Sequence, residues 1–213
     1  MNYILELMPQ VLDGLKVTLE VFAMTLIISI PIGIIVALMR TSKSFILSKL
    51  SGLYVLIMRG TPLLLQITVI FFGLPLVGIS FDRFTAAIIA FSLNYAAYFG
   101  EIFRSGIQSI DEGQIEGAEV LGLTKKDTFF RIILPQAFKT VLPPVANEIT
   151  TLVKDTSLVY IVGLDELLKV GKIASNRDVS LLPLLVVGAV YLIIIGIFSE
   201  VLKRIEKKYD YYK

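Results

Sequence analysis

Read for its apolar and polar positions, the chain is a series of long apolar runs separated by short charged stretches. Five runs, roughly residues 17–39, 53–80, 84–107, 137–163 and 181–202, reach the ~20 residues a helix needs to cross a hydrocarbon core. The pattern predicts an all-α polytopic membrane protein, one domain over 1–213 with its core at about 14–203. Ahead of the first run, Tyr3, Ile4, Leu7, Met8, Val11 and Leu12 recur at helical spacing. That predicts a short interfacial helix over 1–13. Pro62 and Pro75 in the second run, and Pro143-Pro144 in the fourth, predict bends, because neighbouring helices can satisfy the backbone groups a proline frees.

Charge gives the runs a direction. Arg40, Lys43, Lys49, Arg59, Arg104, Lys125, Lys126, Arg131, Lys139, Lys203, Arg204, Lys207, Lys208 and Lys213 all fall on one side of the five-span arrangement. Lys16, Arg83, Lys169, Lys172 and Arg177 fall on the other, and Lys154 lies inside a run. Cytoplasmic loops collect Lys and Arg, so the N-terminus is expected outside and the C-terminus in the cytoplasm. The mixed-charge loop at 112–135 is then cytoplasmic. Residues 1–14 contain Glu6 and Asp13 but no Lys or Arg, so the basic start of a cleavable signal is missing.

Composition removes several chemistries. The chain has no Cys, His or Trp. Thiolate catalysis, disulfides and Cys- or His-based metal sites are therefore excluded, and no metal site is expected. A net charge of +2 gives no footprint for nucleic acid. The sole Gly-Lys pair, Gly171-Lys172, is followed by Ile173, so no Walker A loop is present. No catalytic set emerges, and the chain is expected not to be an enzyme.

Polar residues inside the apolar runs are the informative ones, since a charge at mid-membrane costs about 2.5–3.5 kcal/mol on insertion scales. Asn94, Tyr98, Glu101 and Ser105 share one face of the third run. Glu148, Thr151 and Asp155 share a face of the fourth, with Asn147 and Lys154 beside them, and Arg59 and Gln66 lie in the second. On the simpler reading Glu101 and Arg104, three residues apart, form an internal ion pair, and Lys154 snorkels outward. Asn147, Glu148 and Thr151 sit too deep for that and mark a polar pathway or ligand site. Carboxylates facing a cavity suit a cationic or zwitterionic solute better than an anion.

Glu116-Gly117-Ala118, then Gly122, then Ile132-x-Leu134-Pro135 has the spacing of an EAA loop, with Gly117 where Ala is usual. This resembles the loop of permease subunits of bacterial type I ABC importers. Arg59-Gly60-Thr61-Pro62-Leu63-Leu64, the run from Tyr98 to Ile110, and Lys154-Asp155-Thr156-Ser157-Leu158 resemble stretches of the polar amino-acid members, which serve histidine, arginine, lysine, glutamine, glutamate and opines. The resemblance implies a multi-pass subunit of the bacterial inner membrane, paired with a second copy or paralogue. It further implies an ATPase dimer that carries ATP and magnesium, so that this chain binds no cofactor, and an extracytoplasmic amino-acid-binding protein. Glu116, Gly117, Ala118, Glu119, Leu121, Gly122, Leu123, Phe129, Phe130 and Pro135 would form the ATPase-coupling surface. Glu148, Asn147, Thr151, Asp155, Tyr98, Asn94, Glu101 and Gln66 would contact the solute. The family pattern has an uncharged amide after Asn147; the acidic Glu148 here tilts the expected cargo to arginine, lysine or histidine. A glutamine or glutamate importer, an ion-coupled secondary transporter, and a non-transporting scaffold are the alternatives.

Overall fold

Residues 2–209 are described by a computed structural model, and every regular element among them is a helix. The first apolar run is part of α1 (Asn2–Arg40), one helix that contains Pro9 and Pro31. Residues 2–13, expected as a helix of their own, are its first turns. The third run is α4 (Arg83–Gln108), the helix around which the others pack. Asp82 starts it: its Oδ1 accepts from the backbone N–H of Phe84 and Thr85 at 3.0 and 3.1 Å. Hydrogen bonds from Thr85 and Phe84 hold the Asp82 carboxyl below the ordinary carboxylate range.

One face of α4 is built of Ala86, Ala87, Ala90, Ala96, Ala97 and Gly100, all buried. Small side chains let helix backbones approach closely. A Cβ on Gly33 of α1 would lie 2.8 Å from Phe99 Cβ and only 3.1 and 3.2 Å from the backbone of Gly100 and Ala96. The opposite side of α4 carries Phe91, Tyr95 and Phe99, which share one core with Ile67, Leu152, Val153 and Val159.

The second run is not one continuous helix. It divides into α2 (Phe45–Gly60) and α3 (Leu63–Thr68), with a 101° bend between them. Proline pushes the preceding residue out of the helical region, and Thr61 is extended at φ −121 and ψ 147. The amide of Gln66 covers the opened backbone, donating to Met58 O at 2.9 Å and Thr61 O at 3.2 Å. Beyond α3 the chain continues through a π turn (Val69–Gly73) and a 3-10 turn (Leu74–Val77) that contains Pro75. Pro143 and Pro144, by contrast, lie within the uninterrupted α7 (Leu134–Asp155).

A 3-10 segment (Thr156–Val162) follows α7 and leads to α8 (Leu167–Asp178) and α9 (Leu182–Tyr209). Leu7 and Val11 of α1 pack with Leu167, Ala174 and Val187 in a second core. Buried Glu166 caps α8, accepting from Leu168 N and Lys169 N at 2.6 Å each and from the Tyr191 hydroxyl at 3.0 Å.

Among the described residues three helices are long and apolar enough to span alone: Tyr3–Arg40, Arg83–Gln108 and Leu182–Tyr209. The bent α2–α3 pair is a fourth if taken as one span. The fifth expected span, α7, does not reach that threshold; Asn147, Glu148, Lys154 and Asp155 lie in its second half.

Candidate functional site

The break at Thr61-Pro62 opens a cavity of about 500 Å³ between the end of α2, the middle of α4 and the second half of α7. Glu148, Thr151 and Asp155 enter it from successive turns of α7, as their spacing predicts. Asn94 and Tyr98 enter from α4, and Arg59 from the last turn of α2. The Tyr95 hydroxyl donates to Asp155 Oδ2 at 2.7 Å. Asn94 Nδ2 donates to Met58 O at 2.9 Å and to Gln66 Oε1 at 3.1 Å, which ties α4 to both sides of the break. The Arg59 guanidinium lies over the Tyr98 ring, 5.1 Å from its centre, a cation–π distance.

The lining therefore holds two carboxylates and one guanidinium. A solute carrying a cation finds acceptors there, and an α-carboxylate finds Arg59.

Of the eight residues expected to contact solute, Asn94, Tyr98, Glu148, Thr151 and Asp155 line this cavity. Gln66 lies behind the wall as a brace for the break. Glu101 lines the adjoining cavity of about 440 Å³ with Arg40, Arg59 and Tyr98. There it accepts from Arg104 Nε at 2.9 Å and lies 3.9 Å from Arg40 Nε, the internal ion pair of the simpler reading with a second arginine added. Asn147 is exposed and absent from the lining, since one residue along a helix is about 100° around it. Tyr95 was not among the expected residues. The helical period places it on the buried apolar face, and nothing in that period shows how far its hydroxyl reaches.

The segment joining α4 to α7 has a different construction. Helix α5 (Glu112–Val120) ends where Gly122 adopts φ +74. Gly122 N donates to Glu119 O at 2.9 Å and Leu123 N to Ala118 O at 3.0 Å, the paired bonds of a Schellman C-cap. Thr124 then caps α6 (Lys125–Thr128), its Oγ1 accepting from Asp127 N at 3.1 Å. A π turn (Phe129–Ile133) joins α6 to α7, with Pro135 near the start of the latter. Glu116, Gly117, Glu119, Val120, Leu121 and Phe130 are exposed, Leu123 and Phe129 half-buried, and Ala118 buried. Val120 and Leu121 are 87% and 79% exposed, an apolar tip left uncovered by the described residues.

The loop pattern from Glu116 to Pro135 and the cavity between α2, α4 and α7 can now be set against known proteins. The sequence profile of the binding-protein-dependent transport system inner membrane components matches residues 29–210, and the chain belongs to that family. Over 202 residues it is 37% identical to the arginine transport system permease protein ArtQ of Bacillus subtilis (strain 168), covering 94% of this chain and 92% of that one. Over 212 residues it is 36% identical to the putative glutamine transport system permease protein GlnP of Rickettsia bellii (strain RML369-C), covering 97% of each. The fold superposes on a crystallised amino acid ABC transporter with histidines at a TM-score of 0.91, with 31% identity and 97% of both chains covered. The inward-facing MetNI methionine ABC transporter shares the fold at a TM-score of 0.77 and 20% identity, over 96% of this chain and 98% of that one.

Proposed function

We propose that this chain is the membrane-spanning permease subunit of an ATP-driven amino-acid importer with a basic amino acid as cargo. In this reading α1, the bent α2–α3 pair, α4, α7 and α9 cross the inner membrane, with the N-terminus outside and the C-terminus in the cytoplasm. Residues 112–135 form the coupling segment. The exposed Val120, Leu121 and Phe130 enter a groove of a partner ATPase, which holds the nucleotide and magnesium. A second copy or paralogue completes the pathway, and an extracytoplasmic binding protein delivers the cargo. ATPase closure moves the capped α5–α6 unit, and α7 carries that motion to the cavity as a rigid body.

The observation that carries the cargo assignment is the pair Glu148 and Asp155 facing one cavity. Arg59 in the same lining also supports a second reading, glutamine or glutamate, in which the guanidinium meets a side-chain oxygen. The test is ATPase stimulation and proteoliposome uptake by the purified permease–ATPase complex, with each of the twenty amino acids. Arginine, lysine or histidine are expected to stimulate, and Glu148→Gln is expected to weaken the arginine response about tenfold, equivalent to ~1.4 kcal/mol. A response confined to glutamine or glutamate overturns the basic cargo. Uptake driven by an ion gradient without ATP overturns the importer reading altogether.

A further inference from the structure

Where α9 emerges from its apolar stretch, a cavity of about 330 Å³ opens between it and α7, lined by Lys139, Lys203 and Lys207, with Glu206 the one carboxylate in the lining among the described residues. Its remaining lining includes apolar Leu142 and Pro143 of α7. Lys203 and Lys207 are four residues apart and so lie on one face of α9. That face does not end at the lysines. Gly196 and Leu192 precede Lys203 by seven and eleven positions and continue its line along the helix. Leu192 is 73% exposed, and no atom lies within 4 Å of where a Cβ on Gly196 would be. A basic pocket is thus continuous with an open apolar track on the same helix face.

We propose that this pocket and track bind one acidic phospholipid, Lys203 and Lys207 taking its headgroup phosphate and the Gly196–Leu192 track an acyl chain. Juxtamembrane lysines attract anionic headgroups, and basic pockets between membrane helices hold them. A soluble phosphate or nucleotide would use the lysines but gives no reason for the track. A second copy of this chain docked here across a two-fold axis would bring Lys203 and Lys207 of both copies into one interface, because such an interface uses one patch on both partners. The lipid is the occupant that satisfies both ends.

The test uses the purified permease–ATPase complex with cardiolipin, phosphatidylglycerol or phosphatidylcholine, and counts bound lipids by native mass spectrometry. The acidic lipids are expected to be retained and phosphatidylcholine lost. Retention is expected to fall about tenfold or more in the Lys203→Gln, Lys207→Gln double variant. A Lys43→Gln, Lys49→Gln double variant, altered in the α1–α2 loop, is expected to retain them. Equal retention by the Lys203, Lys207 variant, or of phosphatidylcholine, overturns the site. Displacement of the lipid by millimolar inorganic phosphate would make it a soluble-anion site instead. The chain has no native cysteine, so Gly196→Cys supplies a clean second readout. Disulfide-linked permease dimers forming through that residue in a phosphatidylglycerol bilayer would show the face to be a contact between copies, and would also overturn the proposal.

Discussion

The seam between α1 and α4 and the segment between α4 and α7 are both rich in glycine, yet glycine does opposite things in them. At the seam it removes a side chain so that two distant stretches of backbone can touch; Gly33 and Gly100 each face the other helix at under 3 Å from a would-be Cβ. In the segment between α4 and α7 Gly122 has open space around it and is needed for its φ of +74, which closes a purely local cap. The seam is held by tertiary packing, and the segment by its own backbone. Under the proposed function that contrast has a use: a unit held by its own backbone would keep its shape while pushed against a close-packed wall.

The sharpest way to break the contrast is Gly33→Leu. Its new side chain meets the backbone of Gly100 and Ala96, which cannot rotate away, so a loss of about 3 kcal/mol is expected from overpacking. Thermal unfolding of the complex in detergent checks it, and an unchanged midpoint would refute the claim of a close-packed seam. Next comes Gly122→Ala, which puts a Cβ at left-handed φ and costs about 1–2 kcal/mol. Here the loss is expected in ATPase coupling, with hydrogen exchange rising in α5 and staying unchanged in α4. Thr124→Ala removes the cap on α6 for about 1 kcal/mol and is expected to show the same pattern more weakly.

Gly117→Ala should move the other way. Nothing lies within 4 Å of a Cβ there, so the helix gains up to about 1 kcal/mol with coupling intact; slower hydrogen exchange in α5 would demonstrate it. The smallest effect lies outside both regions. Asp178 accepts from Arg177 and Tyr3, and these bonds, Arg177 foremost, hold its carboxyl down at about 2. The folded value is depressed, so the stabilisation is full above the unfolded value of about 3.9 and disappears as pH falls through about 2. In Tyr3→Phe the protection of the α8 end is expected to fade at a higher pH than in the parent chain.

What the sequence disclosed follows the same division. Local periodicity located α4, α7 and α9, and it identified the stripe of Glu148, Thr151 and Asp155, because those patterns repeat within a turn or two. The family resemblance, carried by short local stretches, was borne out. The break at Thr61-Pro62 was readable in kind but not in size: a proline marks where a helix yields, and the packing around it decides between a kink and a 101° bend. The bracing role of Gln66, the second arginine beside Glu101 and the reach of Tyr95 were not legible, because a helical period fixes a direction and not the partner met there. Glu101 found Arg104 and Arg40, Gln66 found the broken backbone, and Tyr95 reached Asp155 across two helices.

The unbroken α1 has a mechanical consequence. At 39 residues it is about 58 Å long, nearly twice the ~30 Å of a hydrocarbon core. Even at the steep end of observed tilts, around 40°, on the order of 18 Å of it stands clear of the lipid interior. Its outer half carries α8 alongside it, from Leu167 at Thr18 to Asp178 at Tyr3, seated so closely that a Cβ on Gly14 would come 3.1 Å from Leu167 Cα. A mast of that length magnifies small rotations. A tilt of ten degrees about its middle sweeps the Asp178 end of α8, held at Tyr3, through on the order of 5 Å, so a modest rearrangement of the bundle is written large at the surface beyond it.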